Sequence, residues 1–162
     1  MNEPQIHPFG PYQTLELRTA AMHAADHLLI AIEKSNTPLH TISRFLLVAP
    51  STRCDHEPAK RQRRRLQFSE RQERDQVEPK DERFDERGER CCTCGAIRFE
   101  VQDVNEEKPW ISTWRLPFAL PDTGDTISKL TDGLGAESKG AYWRAVHALR
   151  AAIEAGTLWR AT

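Results

Sequence analysis

Cys91-Cys92-Thr93-Cys94-Gly95, followed by Ala96-Ile97-Arg98-Phe99-Glu100-Val101, is the stretch on which the fold turns. A Cys-x-x-Cys spacing lets one turn of chain present two thiolates to a single metal ion, and a glycine directly after the second lets backbone amides turn toward the sulfurs. The run leaving the turn alternates Ile97, Phe99 and Val101 with Arg98 and Glu100, the period of a half-buried strand. Beyond residues 57–90, on the N-terminal side, Cys54-Asp55-His56 offers a second close pair. Zinc takes four soft or borderline ligands in a tetrahedron, so Cys54, His56, Cys91 and Cys94 are the candidate set. Cys92 also forms a Cys-x-Cys pair with Cys94, and either Cys91 or Cys92 serves as the third ligand. The same thiols read alternatively as free cysteines beside a solvated His56, or as a redox dithiol. The redox reading lacks a helix start to depress a thiol pKa.

The pattern Cys-x-His … Cys-x-x-Cys-Gly followed by a strand resembles a zinc ribbon, with Cys54, His56, Cys91 and Cys94 at the matching positions. The resemblance implies one structural Zn2+, because four protein ligands close the site while a catalytic zinc keeps a position for water. His23 and His27 share a helix face, but Ala24 stands where the His-Glu-x-x-His arrangement requires glutamate. Both read as packing or surface histidines.

The composition is lean in core material: 38% hydrophobic against 29% charged over 162 residues. Such a chain favours cross-linking by a metal, or a sizeable solvated part, over a large apolar core. A net charge of −1 excludes a uniformly basic surface for nucleic acid or membranes and leaves room for a local cationic face. Met1-Asn2-Glu3-Pro4 has neither the basic start nor the apolar run of a secretory leader. No apolar stretch approaches the ~20 residues that span a bilayer. A cytoplasmic, reducing location without membrane partners is therefore expected, with cysteines kept as thiols or metal ligands.

Along the chain, residues 14–34 carry Leu15, Met22, Ala25, Leu29 and Ile32 at helical spacing, with Thr14 as the cap and Ser35-Asn36-Thr37-Pro38 as the stop. Residues 42–48 form an apolar run read as a buried strand. Residues 58–90 contain Arg61-Gln62-Arg63-Arg64-Arg65 and the near-repeat Asp81-Glu82-Arg83-Phe84, Asp85-Glu86-Arg87-Gly88. A four-residue period stacks like charge on like charge along a helix, so the segment is expected to be a solvated charged insertion. Trp110, Trp114, Pro117 and Phe118 are expected to pack in the core.

The C-terminal part reads as a short helix with Ile127, Leu130 and Leu134, then a turn at Gly133 and Gly135. A second helix, capped by Ser138 and closed by Gly156, carries Tyr142, Val146, Leu149 and Ile153 inward; a terminal strand at 157–160 follows. The expected organisation is α+β: residues 1–124 as a helix plus zinc-ribbon-like region, and 125–162 as a helix-turn-helix-like unit.

That unit resembles the helix-turn-helix and wing of winged-helix DNA-binding proteins. The resemblance implies that the second helix reads the major groove through Lys139, Trp143, Arg144, His147 and Arg150. With no phosphate loop, nucleophile elbow or paired acid and base in the sequence, a non-enzymatic role is expected. No small-molecule substrate is evident. The leading expectation is a small zinc-binding regulator of nucleic acid, suited to transcription or phage-like mobile-element control. The rival is a protein-interaction module or inhibitor that docks on a larger complex.

Overall fold

Helix α1 (Leu15–Lys34) forms where the apolar spacing places it, and Thr14 caps it by accepting the Leu17 amide at 3.2 Å. The computed structural model describes residues 9–35, 37–50, 54–56, 58–66, 84–103, 105–119 and 125–161, with the backbone alone over 58–66 and at 84 and 125. Along α1 the buried side chains are mainly alanines and leucines: Ala21, Ala24, Ala25, Leu28, Leu29, Ala31 and Ile32. So many small side chains let neighbouring elements approach α1 on more than one side.

Residues 42–48 are not a strand. Helix α2 (Leu39–Phe45) follows Pro38, and its buried Leu39, Ile42 and Ser43, with Leu46 just beyond, repeat at helical spacing. A short apolar run does not separate strand from helix by hydrophobicity alone, and here the one-sided burial settled the period as 3.6. Only the tail is extended: Val48 forms an isolated bridge with Arg115 and is 60% exposed.

The charged insertion is likewise structured over part of its length. Strands β1 (Pro58–Leu66) and β2 (Phe84–Cys91) pair antiparallel, and β3 (Ile97–Asp103) and β4 (Trp110–Ile111) complete a sheet in the order β1-β2-β3-β4. The expected solvated excursion is corrected for these two spans; residues 67–83 lie outside the described part. A charge repeat that disfavours a helix is tolerated in a strand, where alternation sends successive residues to opposite faces. The register sets Arg65 opposite Asp85 and Arg61 opposite Glu89, while β2 sets Glu89 opposite Arg98 and Arg87 opposite Glu100. Cross-strand pairs of opposite charge stabilise such a ladder. The Glu89–Arg98 pair closes at 2.6 Å with Glu89 nearly buried.

The other face of β2 and β3 meets α1. Phe99 and Ile97 are fully buried there, Arg90 pairs with Asp26 of α1 at 3.1 Å, and Gly88 lies directly beneath Leu29. A Cβ on Gly88 would stand 2.8 Å from the Leu29 side chain, so the glycine sets how closely helix and sheet approach.

Helices α3 (Asp125–Thr131) and α4 (Ala136–Ala155) stand where a helical pair was expected. α4 begins after Gly135 rather than at Ser138 and ends at Gly156, whose φ of +70° closes the helix with its amide on the Ala152 and Ile153 carbonyls. Tyr142, Val146 and Leu149 face inward as expected, joined by Ala145 and Ala152. α4 packs along α1, and side chains of both belong to one hydrophobic cluster with β3 and the 116–119 segment. The Tyr142 hydroxyl donates to the Pro117 carbonyl at 2.9 Å.

Residues 157–160 make a single bridge, Tyr12 to Trp159, in place of the expected strand. Phe118 packs inside as expected and Trp114 is half-buried, whereas Trp110 is 41% exposed on the edge strand β4. No helix among the described residues is long and apolar enough to cross a membrane.

Phe99→Ala is expected to destabilise the chain by about 3–5 kcal/mol in urea unfolding, the cost of an unfilled core site. Ile111→Ala, on exposed β4, is expected to cost less than about 0.5 kcal/mol. Equal effects would overturn the assignment of Phe99 to the core and Ile111 to the rim.

Candidate metal centre

Antiparallel pairing explains how two cysteine pairs so far apart in sequence meet. The start of β1 lies opposite the end of β2, with Pro58 paired to Cys91, so Cys54 and His56 just before β1 arrive beside the turn that follows β2. In that turn the Cys91 amide donates to the Ala96 carbonyl at 2.7 Å and the Gly95 amide to the Cys91 carbonyl at 3.3 Å. Cys54, His56, Cys91 and Cys94 converge, and their four ligand atoms all lie within 4.8 Å of one another. Cys54 Sγ is 3.6 Å from Cys91 Sγ, and Cys94 Sγ is 3.4 Å from His56 Nδ1. No disulfide links them.

Each sulfur also accepts an amide from two residues further on: His56 to Cys54 at 3.3 Å, Thr93 to Cys91 at 3.4 Å and Ala96 to Cys94 at 3.4 Å. Amide donors of this kind favour thiolate over thiol. Sulfur-to-sulfur hydrogen bonding divides the three thiols. Donation from Cys54 and then Cys94 holds the Cys91 thiol far below the usual thiol range; the bond to Cys91, with burial, pushes Cys54 up, and the bonds to Cys54 and then Cys91, with burial, push Cys94 up.

Of the two adjacent cysteines, Cys91 and not Cys92 stands in the cluster. As the last residue of β2, Cys91 is fully buried and aims into the cluster, whereas Cys92 lies in the turn, half-buried, with its sulfur 3.7 Å from Thr93 Oγ1.

A second ring of groups holds the turn in place. The Tyr12 hydroxyl donates to the Cys94 carbonyl at 2.5 Å, and burial keeps that phenol protonated well above its usual range. Arg18 of α1 donates to the Thr93 and Cys92 carbonyls, both at 3.1 Å. His56, at φ +56°, stacks on Trp114 with ring centroids 5.1 Å apart, and the Arg98 guanidinium lies over the same indole at 4.7 Å. His56 Nε2 is buried with no hydrogen-bond partner among the described residues. Sequence reasoning missed Tyr12, Arg18 and Arg98. Tyr12 and Arg18 reach the site from a distant part of the chain, where no spacing rule joins them to a turn near position 94, and Arg98, though close in sequence, meets the site only through Trp114.

The residues expected to face nucleic acid are divided. Lys139 forms an ion pair with Asp132, and the Trp143 indole donates to Thr131 Oγ1 at 3.2 Å. Arg150 donates to the Ala119 carbonyl at 2.8 and 2.5 Å and lies over the Trp143 ring. Arg144 and His147 are exposed. His23 and His27 take no part in the four-residue cluster.

Comparison with protein-family models, curated proteins and solved structures gave no match. The four groups are compatible with a metal-ion site on their geometry alone.

Gly95 holds the turn against α1. Its φ is +78°, and a Cβ there would meet the Ala21 carbonyl oxygen at 2.8 Å, a backbone atom that cannot swing aside. Gly95→Ala is expected to cost at least about 2 kcal/mol of stability in urea unfolding, and to weaken metal uptake in parallel. A neutral substitution would show that the turn is not pinned to the helix.

Proposed function

We propose that Cys54, His56, Cys91 and Cys94 hold one structural Zn2+, and that the chain acts by binding a macromolecular partner rather than by catalysis. The observation that carries the metal reading is the mutual approach of three sulfurs and one imidazole nitrogen within 4.8 Å. Zinc–sulfur bonds of about 2.3 Å and zinc–nitrogen bonds of about 2.0–2.1 Å imply tetrahedron edges of about 3.8 Å between sulfurs and about 3.6 Å from sulfur to nitrogen. The contacts of 3.6 and 3.4 Å are close to both. Thiolate ligands favour soft or borderline metals over magnesium or calcium. Four protein ligands saturate a tetrahedral ion, leaving no position at which water or substrate is activated.

Native mass spectrometry of protein purified without added metal is expected to show one zinc per chain, removed by a strong chelator with loss of folded structure. Because thiolates and not thiols bind, loading is expected to weaken as pH falls. Cys91→Ser and Cys94→Ser should abolish loading while Cys92→Ser retains it. A chain that folds without metal, or loses it only with Cys92, overturns the assignment.

For the partner, the surface supports a protein over a nucleic acid. Trp110, Ile111 and Val48 are 41, 52 and 60% exposed on or near the β4 edge, the net charge is −1, and Lys139, Trp143 and Arg150 are engaged within the chain. The nucleic-acid reading retains Arg144, His147 and the run from Lys60 to Arg65 in β1. Retention of mixed-sequence duplex DNA is therefore expected to be weak even at about 50 mM salt. Tight retention that collapses with added salt and with Arg144→Gln would overturn the protein-partner reading.

A further inference from the structure

The far end of α1 carries a second feature, unrelated to the cysteines. Lys34 lies about 24 Å along the helix from Arg18, at 1.5 Å per residue, and there α1 and α3 enclose a cavity of about 300 Å³. Thr126, Lys129 and Leu130, at i, i+3 and i+4, line it from one face of α3. Lys34, Ser35 and Thr37 line it from the end of α1 and the turn that follows. Among the described residues the lining includes two lysines and three hydroxyl residues, of which Ser35 already donates to Thr37 Oγ1 at 3.0 Å, and no acidic residue. Neither lysine makes an ion pair among the described residues.

A lysine in the last turn of a helix is stabilised by the helix dipole on its own account, so Lys34 alone, or Lys129 alone, carries little meaning. Their convergence on one cavity is different. Two like charges at a shared concavity repel, and an anion between them removes that cost. We propose that this cavity binds the phosphate group of a small phosphate monoester. A dianionic phosphoryl group matches two ammonium charges, and its three terminal oxygens match a site rich in hydroxyl and ammonium donors. A carboxylate supplies one charge and two oxygens and leaves part of that set unused. The apolar floor at Leu130 and Ala31 suits the carbon side of an ester better than bare inorganic phosphate.

The test uses the full zinc-loaded chain, titrated calorimetrically with phenyl phosphate, inorganic phosphate and benzoate. Phenyl phosphate is expected to bind saturably, with a Kd on the order of 1 mM for so open a site. Inorganic phosphate should bind more weakly and benzoate weakest. The double variant Lys34→Gln/Lys129→Gln is expected to weaken phenyl phosphate at least about tenfold, equivalent to about 1.4 kcal/mol, while Lys108→Gln leaves it unchanged. Absence of saturable binding, benzoate equal to phenyl phosphate, or a double variant that binds as tightly as the parent would each overturn the site. As a readout independent of any variant, amide shifts in the parent chain should move at Lys34, Thr37, Thr126 and Lys129. Shifts confined to other residues count against the proposal.

Discussion

A cluster of three sulfurs and a neutral imidazole nitrogen lies within 4.8 Å, where three thiolates would repel one another unless a cation stood among them. The cluster joins the short 54–56 segment to the turn after β2, and so fixes which ends of β1 and β2 lie together. The amides that donate to the sulfurs come from the same tight turns, so the backbone that forms the turns also favours thiolate over thiol. Buried groups arranged in advance for a charge lose little when the charge is supplied.

Helix α1 is the common wall for everything else. Near its first turns Arg18 holds the turn's carbonyls and the Ala21 carbonyl abuts Gly95; in its middle Leu29 sits over Gly88; along another side it packs against α4. Three neighbours can approach one helix only where its side chains are small, which explains why four of its seven buried residues are alanine. A chain with 38% hydrophobic residues thereby forms a single apolar cluster around one element, with the cysteine turn attached to its side.

The parts of this arrangement legible in the sequence were those carried by local spacing. Thr14, the stripe through Leu29 and Ile32, the alternation from Ile97 to Val101 and the close Cys and His pairs each describe a few neighbouring residues, and each matches the structure. The misreadings arose where the partner decides. Residues 42–48 are apolar enough for either element, and burial on one side of Leu39, Ile42 and Leu46 made most of them helical. Residues 84–90 look unfit for order because their charges clash at helical spacing; in the strand Asp85, Glu86 and Glu89 face arginines on β1 and Arg87 faces Glu100 on β3, although Arg87 and Arg90 also face cations on β1, a register no single segment reveals. Cys91 and Cys92 differ only in which way the last residue of β2 points.

The β1–β2 hairpin separates two kinds of constraint. Its base, where Pro58 faces Cys91, holds the ligands; its other end, where Leu66 faces Phe84, lies about 24 Å away at 3.4 Å per residue. Adding two residues to each strand would carry the connection further out, leaving every ligand and both strand faces as they are. A single extra residue in one strand turns its far half over, exchanging the face on α1 for the charged one, unless the register shifts to absorb it, as β1 does between Pro58 and Lys60. The hairpin therefore tolerates growth in even steps, and in odd ones only where a bulge absorbs the extra residue, so the gap between His56 and Cys91 can lengthen while the two cysteine pairs stay together.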